Sequence, residues 1–258
     1  MEKLYSLTRK WWFYVLLLFL FFIPSYSQIS VSPQEINNLI LETLSNPLIY
    51  YSSTFYSSIK IIFLGLTISL FIVPKLTSKF YKIFITLLLG IIAVFQNMSN
   101  TSSYGFSILF GNIILQLIVV AFWVLEISLN KINFNKITKT SARLFILPLT
   151  ILAFWMPIDN NIKLDFNPFS FFLNESIVTY CMITPVILSL LILSYPHVNK
   201  TLLRVMSFVG ILFGIINLLT WFLINSDYWW MGVLHIPLIS ISLFGFILGI
   251  TKQEKRNL

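Results

Sequence analysis

"WWMGVLHIPLISISLFGFILGI", residues 229–250, runs its whole length without an Asp, Glu, Lys or Arg. A helix needs about 20 consecutive apolar residues to cross the hydrocarbon core of a bilayer, and this run supplies them. Six further runs read the same way: 58–74, 80–96, 104–127, 142–157, 170–194 and 204–224, with 142–157 the shortest. An eighth, 11–23, stands at the N-terminus. The expected fold is all-α, a polytopic membrane helix bundle of seven spanning helices. To these is added an N-terminal signal peptide or an eighth spanning helix.

Composition agrees. Of 258 residues, 57% are hydrophobic and 10% charged, and the mean hydropathy is +0.87. Soluble domains carry about 25% charged residues, so the chain has too few charges to clothe a water-facing surface. Its single cysteine, Cys181, excludes an intrachain disulfide.

The net charge of +8 is an orientation signal. If every run crosses once, fifteen of the 17 basic residues fall on one side. They are Lys3, Arg9 and Lys10; Lys75, Lys79 and Lys82; Lys131, Lys136, Lys139 and Arg143; Lys200 and Arg204; Lys252, Lys255 and Arg256. Only Lys60 and Lys163 fall opposite, with Glu35, Glu42, Asp159, Asp165 and Asp227. Positive residues in short loops mark the cytoplasm. The expected location is the plasma (inner) membrane, with a cytoplasmic C-terminus. Trp11 and Trp12 sit at an inner boundary, and Trp155, Trp221, Trp229 and Trp230 near outer ones, as amphipathic rings prefer. The expected partners are the bilayer, a small polar solute and other membrane proteins. The charge carries no nucleic-acid reading.

Four regions follow. Residues 1–27 have a basic start, thirteen apolar residues and the small-x-small pattern Ser25-Tyr26-Ser27, which fits a signal peptide removed after Ser27 or a first span. Residues 28–57 form an outer segment. There Ser32, Pro33 and Glu35 make a capping box with proline at the first helical position. Ile36, Leu39, Ile40 and Leu44 make one stripe, with Asn37, Asn38 and Glu42 facing away, and Asn46-Pro47 ends the helix. The helix reads as a connector in preference to a lid. Residues 58–250 are the bundle and 251–258 a basic tail. No internal repeat stands out.

Polar residues inside the runs suggest where function lies, because ionisable groups in lipid normally face a partner or a wet cavity. At 1.5 Å rise per residue, His235 lies roughly 9 Å inside its outer helix end, Asn217 about 10 Å, Asn112 about 12 Å and Glu175 about 8 Å. These four form one expected ligand-binding layer, with Ser107, Gln116, Thr184 and Thr220 at similar depth. Gly210-x-x-x-Gly214 and Gly245-x-x-x-Gly249 read as packing sites. Pro148, Pro185 and Pro237 should kink their helices or free carbonyls.

Two short stretches support sharper chemistry. "YGFSILFG" at 104–111 resembles the serine motif of rhomboid intramembrane proteases, which pair the serine with a histidine on a later helix. The resemblance implies a catalytic Ser107–His235 dyad. It departs from the family pattern at Ile108, where a small residue is usual, and in "HIPL", which lacks the glycines that follow the rhomboid histidine. The order Cys181, Arg204, His235 is similar to that of the exosortase and archaeosortase transpeptidases, but Arg204 falls at the cytoplasmic end and Met182 follows the cysteine. Cys181, His235 and Glu175 lie at different depths and make no zinc site, which needs three or four close ligands. No cofactor is expected. The leading expectation is a permease-like or solute-binding protein with an outward-facing polar pocket. The rivals are an intramembrane hydrolase and a non-catalytic subunit of a larger complex.

Overall fold

A computed structural model describes residues 2–51, 53–137, 141–159 and 162–251. Lys139, Lys252, Lys255, Arg256 and the tail beyond residue 251 lie outside the described residues. The chain forms helices α1 (Glu2–Leu7), α2 (Trp11–Phe21), α3 (Ile36–Ser45), α4 (Ser53–Ile72), α5 (Pro74–Phe95), α6 (Phe110–Leu129), α7 (Ser141–Leu144), α8 (Ile146–Trp155), α9 (Ser170–Leu173), α10 (Tyr180–Leu193), α11 (Lys200–Leu219) and α12 (Trp229–Ile250). Three short strands, β1 (Tyr26–Ser27), β2 (Met98–Thr101) and β3 (Gly105–Ile108), make an antiparallel sheet in the order β1-β3-β2.

Five helices are long and apolar enough to cross a membrane: Thr54–Ile72, Pro74–Phe95, Phe110–Leu129, Lys200–Ile224 and Ser226–Ile250. A sixth is reached only if Ser170–Val178 and Tyr180–Leu193, bent by 88°, count as one span. The seven expected spans are therefore not all present as full-length helices. The run 142–157 yields α8, ten residues long, which stops where Met156 takes a left-handed φ of 47°. The run 104–127 opens as strand β3, and its helix begins only at Phe110. The N-terminal run gives the 11-residue α2. At 1.5 Å per residue, α2 and α8 reach about 15 Å and α10 about 21 Å, short of a hydrocarbon core of about 30 Å.

Contacts fix which ends of α1, α5, α6, α11 and α12 lie together. Arg204, early in α11, donates to the carbonyls of Gly249, late in α12, and Tyr5, and to Thr8 Oγ1. Lys82, early in α5, meets Glu126, late in α6, and Asn199 at the cap of α11 also bonds Glu126. These define one end of the bundle, here called basal. The sheet, α3 and the segment 156–179 gather at the other end.

The basal end corrects the reading of its charges. Lys82 and Arg204, expected among the cytosolic lysines and arginines, are fully buried. Lys82 Nζ donates to Glu126 Oε1 at 3.0 Å, Asn130 Oδ1 at 2.8 Å and the Ile132 carbonyl at 3.0 Å. Glu126 also accepts from the Ile132 amide at 2.7 Å and from Asn199 Nδ2 at 2.9 Å. A buried charge persists only when paired and hydrogen-bonded, and hydropathy windows do not reveal such partners. The described part of residues 1–27, expected as a leader or first span, packs into this body. Phe13 and Leu17 are buried in the core, and Tyr26–Ser27 pairs with Ile108 and Ser107 of β3.

The glycine motifs join α11 to α12. A Cβ at Gly210 would collide with Ser242, one at Gly245 with Ser207, and one at Gly249 with Arg204. Gly111 is as tight and its neighbour is backbone, because a Cβ there would run into the Phe21 carbonyl at the end of α2. No side chain fits where the backbone of a neighbouring helix approaches so closely.

Replacing Glu126 by Ala leaves a buried lysine unpaired and is expected to cost about 3–5 kcal/mol, read as a lowered unfolding midpoint in detergent. A chain begun at residue 28 loses two of the acceptors of Arg204, together with Phe13 and Leu17. It should unfold at a clearly lower temperature in the same measurement.

Candidate functional site

A cavity of about 1240 Å³ opens at the end of the bundle away from Lys82 and Arg204. Its existence follows from the short helices. The last residues of α2 and its exit (Phe21, Phe22, Ile23), the exit of α8 (Met156) and the first residues of α10 (Tyr180, Cys181, Met182) all line it. Longer helices supply the walls: α6 with Asn112 and Gln116, α11 and its π-helical extension Thr220–Ile224 with Phe213, Asn217, Thr220 and Trp221, and α12 with Met231 and His235.

Each short helix ends on protein groups. Ser176 Oγ donates to the Phe154 carbonyl at 2.7 Å. Asn174 Nδ2 donates to the carbonyls of Trp155 and Met156. The amide of Tyr180, the first residue of α10, donates to Gln96 Oε1 at 3.0 Å. Helix termini leave N–H and C=O groups without intrahelical partners, and in an apolar slab those groups need protein partners. Asn174 also turns the chain. It is extended at ψ 165°, and its Oδ1 accepts from the Ser176 amide, the local bonding by which asparagine competes with helix. Lys60, fully buried, clamps the break, with Nζ 2.6 Å from Asn174 Oδ1 and 2.6 Å from Ser176 Oγ. The rings of Phe154 and Phe171 each lie 4.8 Å from its ammonium.

This break relocates Glu175. Expected inside a spanning helix, it begins the 3-10 turn Glu175–Val178 between α9 and α10. Its carboxylate lines the cavity and accepts from Tyr56 Oη at 3.4 Å. Asn112, Asn217 and His235 line the same cavity, so the four residues of the expected layer share one space. Of their neighbours in depth, Gln116 and Thr220 also line it, while Thr184 and Ser107 do not. The sequence reading missed Gln96, Asn97, Tyr50, Tyr56, Asp159 and Thr179. The amide pair Gln96-Asn97 at the end of the apolar run 80–96 was the available signal for the first two.

The side chains are individually held. His235 Nδ1 lies 2.7 Å from the Met231 carbonyl. A carbonyl can only accept, so Nδ1 carries the proton, and in a neutral ring Nε2 is then an acceptor. Asn217 Nδ2 donates to the Phe213 carbonyl at 2.9 Å and touches Cys181 Sγ at 3.6 Å. Asn97 Nδ2 donates to the Ala93 carbonyl at 3.0 Å. Among the described residues, the buried atoms Asn97 Oδ1 and Gln116 Oε1 have no hydrogen-bond partner. Tyr50 Oη meets Thr179 Oγ1 at 2.8 Å, and burial pushes its phenol well above the ordinary value despite that bond. The ring stays neutral.

Helix α3 roofs the cavity. The stripe Ile36, Leu39, Ile40 and Leu44 lines it, as does Asn37, which was expected to face away. The capping box is present, with Glu35 Oε2 accepting from the Ser32 amide at 3.2 Å and from Ser32 Oγ at 2.8 Å. Glu42, on the outer face, ties the roof to the β2–β3 turn, accepting from Ser102 Oγ at 2.8 Å and the Ser103 amide at 3.0 Å. Slight desolvation acts to raise its pKa, but the bonds from Ser103 and Ser102 outweigh it and hold the carboxyl below its ordinary value. Also in the lining, Ile162 takes φ 60°, a strained value for a β-branched residue, and its carbonyl accepts from Trp230 Nε1 at 2.7 Å.

The structure does not bring Ser107 to His235. Ser107 is fully buried in β3, with Oγ 2.8 Å from Thr43 Oγ1 and 3.4 Å from the Ser99 carbonyl. A nucleophile and its base need to be within hydrogen-bond reach, and each of these is committed elsewhere. Cys181 and His235 line the cavity together, but Arg204 is bound at the basal end. No protein-family model, curated protein or solved structure matches the chain.

Ser107→Ala should lower stability by about 1 kcal/mol, the worth of one hydrogen bond, and a serine-directed fluorophosphonate should leave the wild-type protein unlabelled. The Glu42 tie is at full strength above the ordinary carboxylate pKa and is lost as pH falls through the depressed value. Hydrogen exchange in residues 102–105 should therefore be slower in wild type than in Glu42→Gln near neutrality, and the two should converge on acidification.

Proposed function

We propose that the chain is a permease-like, small-solute-binding membrane protein that works through the cavity beneath α3. The apolar helices are compatible with a membrane protein. The observation that carries the functional reading is the pair of buried oxygens, Asn97 Oδ1 and Gln116 Oε1, that lack partners among the described residues beside a cavity also lined by Asn112, Glu175, Asn217 and His235. A buried acceptor without a donor costs about 1–3 kcal/mol, and such a cost is relieved when water or a solute fills the space. The volume is ample for a small organic molecule, since ligand pockets run from about 300 to 1,000 Å³. The bias of lysine and arginine toward the basal end supports a plasma-membrane orientation with that end and the C-terminus cytoplasmic and the cavity facing outward. An intramembrane hydrolase has less support, because the Ser107 hydroxyl is held by Thr43.

Thiol accessibility tests the reading. In a Cys181→Ser background, Asn112→Cys and Asn217→Cys should react with a charged, membrane-impermeant methanethiosulfonate added from outside intact cells. Failure of both to react, in protein that folds and inserts, means the cavity is dry or closed and removes the proposal.

A further inference from the structure

The rim of the cavity changes character from one side to the other. Beside α3 its exposed lining residues include the polar Asn37, Ser45 and Asn46. Beside α2 and α11 they include Phe22, 66% exposed, and Ile216, 37% exposed. These two continue the outward apolar surface of their helices, where Phe19, Ile215, Leu219 and Leu223 are also exposed. The sequence holds no charged residue between Lys10 and Glu35, nor between Arg204 and Asp227. Both flanks of that side are therefore suited to hydrocarbon.

The length of α2 creates a gap there. α2 and α11 rise together from the basal end, where Thr8 meets Arg204, to the rings of Phe21 and Phe213, 5.8 Å apart at their centroids. At that level α2 stops, and the chain leaves to pair Tyr26 and Ser27 with Ile108 and Ser107 of β3. α11 and its extension go on from Phe213 to Ile224, about 16 Å at 1.5 Å per residue. The extension packs on α12, with Phe222 against Gly232. The flank that α2 covers up to Phe213 is left uncovered by α2 beyond it.

Polar groups begin immediately behind this apolar rim. Asn217 follows Ile216, Thr220 is one turn further, and both line the cavity with Asn112 and Gln116. The lining both donates and accepts. Trp221 Nε1, a donor only, and Gln116 Oε1, an acceptor, are buried without a partner among the described residues.

Building on the solute-binding reading, we propose that the solute is a membrane-dissolved amphiphile that enters sideways from the bilayer, between the exit of α2 and Ile216–Thr220. Its polar head, one that both donates and accepts hydrogen bonds, sits among Asn112, Gln116, Asn217 and Trp221. Its alkyl chain lies in the gap against Phe22 and Ile216 and runs out into the lipid. An apolar rim that gives way to polar groups within one turn matches that division of the ligand.

The test uses full-length protein in liposomes. In a Cys181→Ser background, nitroxides attached at Phe22→Cys and Ile216→Cys should be reached more readily by oxygen, which concentrates in hydrocarbon, than by a water-soluble nickel chelate. Greater nickel access at either position puts the rim in water and overturns sideways entry. In the wild-type protein, monolaurin carrying a diazirine beside its glycerol head should crosslink to Asn112, Gln116 or Asn217. Excess unlabelled monolaurin should suppress this at least about tenfold more than equimolar monobutyrin, because each buried methylene adds affinity. Monolaurin with the diazirine on its terminal carbon should crosslink, with the same suppression, to Phe19, Phe22, Leu219 or Leu223. Suppressible terminal crosslinks in residues 36–44 instead place the chain under α3 and overturn the sideways orientation. Equal suppression by monobutyrin overturns the amphiphile assignment while leaving a solute-binding cavity in place. Absence of suppressible crosslinking overturns the assignment too, and the thiol labelling then decides separately whether the cavity reading survives.

Discussion

A helix that stops partway through an apolar slab exposes backbone groups that lipid cannot satisfy, and this constraint organises the whole molecule. Here α8 and α10 end on side chains set for the purpose: Asn174 and Ser176 on the carbonyls of α8, and Gln96 on the first amide of α10. The end of α2 nests against Gly111, where only a hydrogen fits. Without these partners the three helices would have to continue, and the space they leave would be filled by their own side chains. The cavity is what remains when short helices are correctly terminated among long ones.

The two ends of the bundle handle charge differently for the same physical reason. At the basal end, Lys82 and Arg204 are buried against a carboxylate, carbonyls and hydroxyls, and they lock α1, α5, α6, α11 and α12 together. At the cavity end, Lys60 is buried against neutral oxygens and two rings, and it locks the break before α10. The acidic residue beside it, Glu175, is left to face the cavity. A rigid base and a roof held by hydrogen bonds follow from that division. The roof helix α3 carries its apolar stripe on the cavity side, so its connection to the rest of the chain and its cover over the space are one feature.

Much of this was legible in the sequence because it rests on local pattern. The capping box at Ser32–Glu35, the stripe of α3 and the glycine spacings of α11 and α12 each depend on residues within a few turns. The depth of Asn112, Asn217 and His235 could be counted from helix ends, and the three reach one cavity. What escaped depends on distant partners. Glu126 pairs with a lysine 44 positions away. Ser107 was placed on a helix, whereas Met98–Thr101 draws it into a strand four residues long, too brief to leave a period in the sequence. The 170–194 run reads as continuous because hydropathy does not register that Asn174 bonds the exit of α8 instead of its own helix.

That break is the point on which the account turns, and it can be observed directly. Solid-state NMR of the protein in bilayers reports the backbone conformation of Asn174 and Thr179 through their carbonyl and Cα chemical shifts. Extended shifts are expected at both residues, matching ψ of 165° and 115°, flanking a short turn. Helical shifts running unbroken from Ser170 to Leu193 would mean that α10 spans the membrane without interruption, and the cavity would lose the opening that creates it.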